Sequence, residues 1–308
     1  MRTVFRGDSI RFGYDKHHPV LKDIAITIED QSIYGLVGPA GSGKTTLAKV
    51  MLGLEKPDRG TLTWFNERIN HSTNRRVGYV PHKKALFYDL TVYENVMLFG
   101  KLYRHRGARL KQQVEQALQL VGLWEERRQD ALSLTDEQLQ RLNIACGMVH
   151  RPDVIIFDEA TSGIEVEAIP FIHAIVRQLH DLGMTIIYLS QNIAEIEQLC
   201  THVGVLKDGC MIAEGRLDSL IAQYFKNPVA KLELEEYVEE LTTQLSHYSI
   251  LYSEANTLLL EAMDQQHDFQ KIRSVLGKKL RRISPVEPRL ANVYDRLVRR
   301  PRIDHHSL

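Results

Sequence analysis

The sequence predicts an α/β fold: a mostly parallel sheet covered by helices, antiparallel edge strands, a helical subdomain and a small C-terminal α+β appendage. Three observations carry that expectation. Residues 38–45 fit the phosphate-binding pattern G-x-x-x-x-G-K-[ST], set between a strand-like and a helix-like apolar pattern. The apolar run Val154-Ile155-Ile156-Phe157 ends in two acids, Asp158 and Glu159. Strand and helix patterns then alternate to about Leu206, which argues a parallel sheet covered on both faces. At 308 residues the chain is longer than one hydrophobic core usually grows, so two domains are expected, 1–226 and 227–308, with the helical subdomain at about 91–150.

Residues up to Tyr14 alternate weakly (Val4, Phe5, Ser9, Ile10, Phe12) and read as edge strands. Leu21, Ile24, Ile26 and Ile28 form a further strand, turned at Glu29-Asp30-Gln31 into Ile33–Val37, which feeds the glycine-rich loop. Leu47, Val50, Met51 and Leu52 follow at helical spacing, so the loop opens a helix. Its glycines free the backbone to turn successive N–H groups toward one point, and the helix N-terminus adds partial positive charge. Gly38, Pro39, Ala40, Gly41, Ser42, Gly43, Lys44, Thr45 and Thr46 are therefore the expected cradle for a nucleoside triphosphate. Lys44 would bring a full charge to the β- and γ-phosphates, and the Thr45 hydroxyl a ligand to Mg²⁺. The competing reading, a turn with a chance lysine, is disfavoured by the strand before and the helix after.

Lys56–Gly60 reads as a turn, and Thr61–Phe65 and Val77–Val80 as short strands, the second stopped by Pro81. From Thr91 to about Leu123 apolar residues recur at helical spacing (Val92, Val96, Phe99, Leu110, Val114, Leu118, Val121). Glu125–Asp130 reads as a solvated loop, and a helix from about Asp136 to Val149 precedes the apolar strand. Helix (Glu165–Leu182), strand (Thr185–Leu189), helix (Ile193–Leu199) and strand (Val203–Leu206) follow. Past Asn227-Pro228 the rhythm changes. Leu232–Leu245 reads as an amphipathic helix (Leu234, Tyr237, Val238, Leu241) and Leu258–Leu260 as a strand. Phe269–Leu276 reads as a helix, Pro285 and Pro288 as a turn, and Asn292–Val298 as a last helix. Lys278, Lys279, Arg281 and Arg282 read as a solvated face rather than a lipid contact. His305-His306 reads as a tail, not a metal site.

Composition excludes several classes. A formal net charge of zero gives no whole-molecule case for nucleic acid. No apolar run approaches the roughly 18 residues needed to span a bilayer, and Met1–Arg6 lacks a signal-peptide core. The expectation is a cytoplasmic chain that reaches a membrane only through a partner. Three cysteines without C-x-x-C spacing suit a reducing compartment and read as small buried groups.

A buried strand ending in two acids complements the phosphate loop: Asp158 would hold Mg²⁺ through water, and Glu159 would polarise the attacking water. With these in place, the chain from about Val4 to Leu220 resembles the ATP-binding subunits of ABC transporters. Tyr14 stands where that family stacks adenine, and Gly78-Tyr79-Val80-Pro81-His82 where it has its Q-loop. Leu134-Thr135-Asp136-Glu137-Gln138 occupies the place of the LSGGQ signature, Ala160–Glu165 that of the D-loop, and Ser190-Gln191-Asn192 that of the switch histidine. Leu86-Phe87-Tyr88, Leu90-Thr91-Val92, Glu94-Asn95 and the tail Arg289–Tyr294 are similar to the branch that drives export permeases. The resemblance implies a P-loop ATPase domain, a permease partner and head-to-tail pairing of two ATPase domains, each signature serving the other's ATP.

The departures bear on mechanism. Asp136 and Glu137 replace two signature glycines whose backbone approaches phosphate. At ~5 Å and an effective dielectric of ~20, an inward carboxylate costs about 3 kcal/mol, although acids at a helix N-terminus also cap it favourably. Asn192 replaces a histidine, and loss of such a donor typically costs ~10²–10³ in rate. His82 replaces a glutamine near Mg²⁺ and the lytic water, Glu165 replaces an aspartate and Ala160 a proline. The binding groups are intact and the γ-phosphate groups eroded, with Glu159, Asn192 and His82 left as the catalytic set. The resulting expectation is an exporter subunit with slow hydrolysis, paired with a more complete, non-identical ATPase domain or with its own copy. A regulatory ATP-binding module is the alternative. A soluble ABC protein acting on DNA or ribosomes would carry tandem domains or long insertions, and neither is seen.

Overall fold

The computed structural model describes residues 2–15, 17–225, 227, 229–235, 245, 247, 248, 250–254, 256–261 and 265–299. They divide into two compact units, 1–214 and 215–308. The first unit opens with β1 (Thr3–Phe12), β2 (Leu21–Glu29), β3 (Ile33–Val37), α1 (Lys44–Met51), β4 (Arg59–Trp64) and β5 (Glu67–Arg68). A short α2 (His71–Asn74) and β6 (Val77–Val80) lead to the helices α3 (Val92–Leu102), α4 (Gly107–Leu120) and α5 (Asp136–Met148). There follow β7 (Val154–Asp158), α6 (Ile169–Asp181), β8 (Thr185–Ser190), α7 (Ile193–Leu199), β9 (His202–Lys207) and β10 (Cys210–Arg216).

Two sheets result. The edge strands form an antiparallel sheet in the order β2-β1-β4-β5. The residues up to Tyr14, expected as strands in the plural, make one long strand with register shifts. The other sheet runs β10-β9-β3-β8-β7-β6, and β9, β3, β8, β7 and β6 are mutually parallel. Every residue of β3, β7 and β8 is buried, as continuous apolar strands covered on both faces must be. One core joins residues of the two sheets and α1, with Phe5, Ile10, Ile24, Ile28, Leu47, Val50 and Trp64 fully buried. The Trp64 indole N–H donates to the Met51 carbonyl at 2.7 Å, so the largest core side chain leaves no orphan donor.

The helical stretch expected from Thr91 onward is α3 and α4. Thr91 and Glu94 form a capping box at the start of α3. Close approach sets α5 against β6: a Cβ on Gly78 would lie 2.4 Å from the Gly147 carbonyl oxygen, so only glycine fits there.

The second unit begins with a helix, Leu217–Tyr224, just before the expected boundary at 226/227. Its sheet runs β12-β13-β11-β14, from β11 (Val229–Leu234), β12 (Ile250–Glu254), β13 (Thr257–Glu261) and β14 (Leu280–Val286). Helices span Gln265–Leu276 and Leu290–Tyr294. The helix expected from Leu232 is corrected at its start, because Leu232–Leu234 belongs to β11, where Leu232 and Leu234 face the core in alternation with Lys231 and Glu233. Residues 236–244 of that stretch, including Tyr237, Val238 and Leu241, lie outside the described residues, as do Pro228, His305 and His306. Pro285, expected in a turn, sits inside β14. That strand is the edge of its sheet, where a residue without an N–H is tolerated. Lys278, Lys279, Arg281 and Arg282 are all exposed.

Candidate nucleotide site

The glycine-rich loop leaves β3 and enters α1 at Lys44. Gly43 is the N-cap at φ +107°, a conformation L side chains rarely adopt, and it offers no side-chain cap. The first N–H groups of α1 therefore have no intrahelical acceptor and face the loop's concavity. A cleft of about 350 Å³ is lined by Val20, residues 40–46, His82, Glu159 and Gln191. A second cleft of about 710 Å³, bordered by Gln116, Arg151, Gln178 and Met184, contains none of the motif residues.

Within the cradle Lys44 is buried. Its Nζ donates to the carbonyls of Gly38 (2.8 Å) and Pro39 (3.2 Å) and lies 3.4 Å from Glu159 Oε1. Burial lowers its pKa, opposed chiefly by the Glu159 charge. Ser42 Oγ is buried with no hydrogen-bond partner among the described residues. The Thr45 hydroxyl donates to Asp158 Oδ1 at 3.0 Å, reaching from α1 to β7 across the end of β8. The Tyr79 hydroxyl donates to the other carboxylate oxygen, Oδ2, at 3.1 Å. Burial raises the Asp158 pKa, while these two hydrogen bonds lower it. Burial also raises the Tyr79 pKa, so it remains a donor.

These groups suit Mg²⁺. A hydroxyl and a carboxylate stand side by side as hard oxygen ligands, and Ser42 of the same loop carries a buried hydroxyl without a partner among the described residues. Among the described residues no cluster of three His, Cys, Asp or Glu side chains could hold a metal alone. That is the donor set of an ion completed by phosphate oxygens and water.

Glu159 occupies left-handed backbone space at φ +54°. Such a conformation persists where neighbours over-determine it. Its N–H donates to the Leu189 carbonyl (2.9 Å), its carbonyl accepts from Ser162 N–H (3.0 Å), and its Oε2 accepts from Gln191 N–H (3.3 Å). Asn192 is the N-cap of α7, and its Oδ1 accepts from Ala194 N–H at 3.0 Å. Its carbonyl oxygen is thereby committed to the cap, leaving Nδ2 as the donor it can offer. His82 is exposed at the cleft rim. Asn143 on α5 holds that segment, donating to the Pro81 carbonyl (3.0 Å) and accepting from Ala85 N–H (3.3 Å). Tyr14 is 59 % exposed, packs edge-on to Phe12 and approaches the Thr46 hydroxyl (3.4 Å), presenting a ring beside the cradle.

Leu134–Gln138 lies outside this cleft. Leu134 is buried, and Thr135 and Gln138 form a capping box at the start of α5, which engages the Thr135 N–H and hydroxyl. Both acids are paired within the chain. Asp136 Oδ1 is 3.8 Å from Lys84 Nζ, and Glu137 Oε1 is 3.4 Å from Arg141 Nε. The Asp136 side chain remains 81 % exposed, so its pairing is weak. In the sequence Tyr79 and Gln191 stand inside the Q-loop and switch stretches without a role of their own, which their contacts to Asp158 and Glu159 supply. Val20, which lines the cleft, has no signal in the sequence.

A strand–loop–helix phosphate cradle with an acid pair two strands away on a parallel sheet defines a P-loop nucleoside triphosphatase. The chain belongs to the ABC transporter ATP-binding family. The family model described as ABC transporter matches residues 21–162. The chain is 31% identical over 232 residues to the linearmycin resistance ATP-binding protein LnrL of Bacillus subtilis, covering 74% of each. It is 35% identical over 223 residues to the Nod factor export ATP-binding protein I of Burkholderia lata, covering 70% of this chain and 71% of that one. A solved ATP-binding subunit of an ABC transporter superposes with a TM-score of 0.66 at 24% identity, over 72% of this chain and 93% of that one, a likeness of fold. Among the described residues no helix is long and apolar enough to cross a membrane.

Proposed function

We propose that this chain is the ATP-binding subunit of an ABC exporter that binds ATP tightly and hydrolyses it slowly. It would sit at the inner face of the membrane through a separate permease and pair head-to-tail with a second ATPase domain, a more complete one in the economical arrangement. The observation that carries the reading is a contrast inside one fold. Lys44, Thr45 and Asp158 converge in a formed cradle, whereas Asn192 is committed to a helix cap and two carboxylates stand in the signature. The Nod factor relative is named for export, and the motifs around Leu86–Asn95 agree with that direction.

In this reading Tyr14 stacks the base, residues 38–46 hold the phosphates and Lys44 exchanges its carbonyl partners for the β- and γ-phosphates. The Thr45 hydroxyl would ligate Mg²⁺ and Asp158 would hold it through water, with His82 contributing through a water. Bound Mg²⁺ would neutralise charge on the phosphates. Glu159 accepts a hydrogen bond from the attacking water, and Asn192 Nδ2 donates to the γ-phosphate in place of an imidazole. Residues 134–138 serve the partner's nucleotide, with Asp136 and Glu137 drawn toward Lys84 and Arg141.

Steady-state turnover of the purified chain tests the slow-hydrolysis part. A rate within ~1–10³ s⁻¹ that disappears in Glu159→Gln refutes it. Purification from detergent-solubilised membranes tests the transport part: a polytopic permease is expected to accompany the chain. A regulatory ATP-binding module, the reading the acid-bearing signature otherwise favours, would purify without one. Transport of cargo into rather than out of vesicles oriented as the cell is would refute export.

A further inference from the structure

A second buried carboxylate near the site, besides Asp158, belongs to none of the groups above. Glu195, on α7, is 4 % exposed. Its Oε1 accepts from the Thr161 hydroxyl at 2.5 Å, and its Oε2 from the hydroxyls of Ser190 (3.0 Å) and Tyr188 (3.3 Å). Ser190 Oγ in turn accepts the Asn192 N–H at 2.9 Å. His173 Nε2 lies 4.0 Å from Oε1, outside hydrogen-bond reach.

The donors come from different segments. Thr161 lies on the loop that begins at Glu159. Ser190 ends β8 and leads directly into Gln191 and Asn192. One buried side chain thus joins the segment bearing the water-activating carboxylate to the segment bearing the γ-phosphate donor. A carboxylate suits this junction because it only accepts, with lone pairs enough for three hydroxyls at once. An amide would turn two N–H groups toward donors. The junction also bears on Glu159, whose left-handed backbone needs fixed neighbours on both sides.

A bland account would make Glu195 a satisfied core residue of α7. Tyr188 and Ser190 belong to β8, against which α7 packs, but that account leaves unexplained why the same carboxylate also takes the Thr161 hydroxyl from the loop after Glu159. We infer that Glu195 is a positioning residue that locks the Glu159–Thr161 segment to the Ser190–Asn192 segment, setting the hydrolytic geometry without touching nucleotide. The inference rests on the proposed roles of Glu159 and Asn192 only for its kinetic readout.

Thr161→Val and Glu195→Gln test it, the first keeping volume and the second keeping shape. ATP affinity should stay within about twofold, because the cradle is not part of the junction. The single-turnover hydrolysis rate should fall at least tenfold in Thr161→Val, since displacements of about an ångström cost up to ~10² in rate; in Glu195→Gln, which turns N–H groups toward hydroxyl donors, it should fall at least as far. Amide hydrogen exchange gives a readout independent of hydrolysis. Thr161→Val should speed exchange in both segment 159–164 and segment 190–194, although it alters only the first. Exchange confined to the first segment, or affinity and rate falling together, overturns the inference. If Glu159→Gln hydrolyses as fast as the native chain, the catalytic assignment fails instead, and the two-segment exchange response still decides whether the lock exists.

Discussion

Replacing Lys44 by alanine is the most direct perturbation of the cradle. A unit charge about 4 Å from a phosphate charge contributes about 4 kcal/mol at an effective dielectric of about 20. Part of that is offset, because the ammonium must leave the Gly38 and Pro39 carbonyls at 2.8 and 3.2 Å and is already disfavoured by burial. A net loss of about 2–3 kcal/mol is expected, or about 30- to 150-fold in Kd. Lys44 is also the cation beside Glu159, 3.4 Å from Oε1. Removing it leaves a carboxylate facing the phosphates without compensation. The double variant Lys44→Ala/Glu159→Gln should therefore bind more tightly than Lys44→Ala alone. Calorimetric titration with a non-hydrolysable ATP analogue and Mg²⁺ measures both quantities. An affinity within twofold of the native chain in folded Lys44→Ala would refute the cradle. A double variant no tighter than the single one would refute the electrostatic account of Glu159.

Three further outcomes follow from the geometry. Tyr79→Phe removes a donor from the Asp158 carboxylate, a charged hydrogen bond worth about 1.5–3 kcal/mol, and should raise the Mg²⁺ concentration for half-maximal ATP binding about tenfold; an unchanged Mg²⁺ titration contradicts the positioning of Asp158. Asp136→Gly with Glu137→Gly should raise single-turnover hydrolysis about tenfold while costing about 2 kcal/mol of stability through glycine in the first turn of α5; no rise would clear the two acids as a brake. His150, stacked on Tyr103 at 3.6 Å, is pushed down to about 4 by burial. The unfolded chain, with its histidine near 6.5, takes up that proton first, so the contribution is complete above about pH 6.5 and lost as pH falls toward 4, by up to about 3 kcal/mol. His150→Phe should flatten that limb in urea melts followed by Trp64 and Trp124 fluorescence, and an identical slope refutes it.

What was legible in the sequence was what local pattern controls. The glycine-rich loop, the apolar strand before Asp158-Glu159 and the helix–strand alternation to Leu206 each declare themselves within a few residues. The misreading at Leu232 arose because the alternation Lys231-Leu232-Glu233-Leu234 is short, and the apolar residues after it extend a helical spacing. The strand Leu280–Val286 was hidden by its arginines and Pro285, which an edge position tolerates. The Thr161–Glu195 bond spans 34 residues and the Tyr79–Asp158 bond 79. No periodicity encodes contacts of that separation, so the partners of Tyr79, Gln191 and Glu195 emerge only when parallel strands bring their ends together. The in-chain partners of Asp136 and Glu137 were equally invisible, although Arg141 stands one helical turn from Glu137.

The backbone of Glu159 has a practical corollary. A left-handed conformation costs an ordinary residue about 1–2 kcal/mol, and glycine would relieve it at about 0.5–1 kcal/mol of added chain entropy on unfolding. Glu159→Gly should therefore melt no lower than the native chain, and slightly higher where strain relief wins. Any breeding of this protein for heat tolerance would drift toward discarding the residue proposed to activate the attacking water, so melting temperature is a poor proxy for turnover at this position.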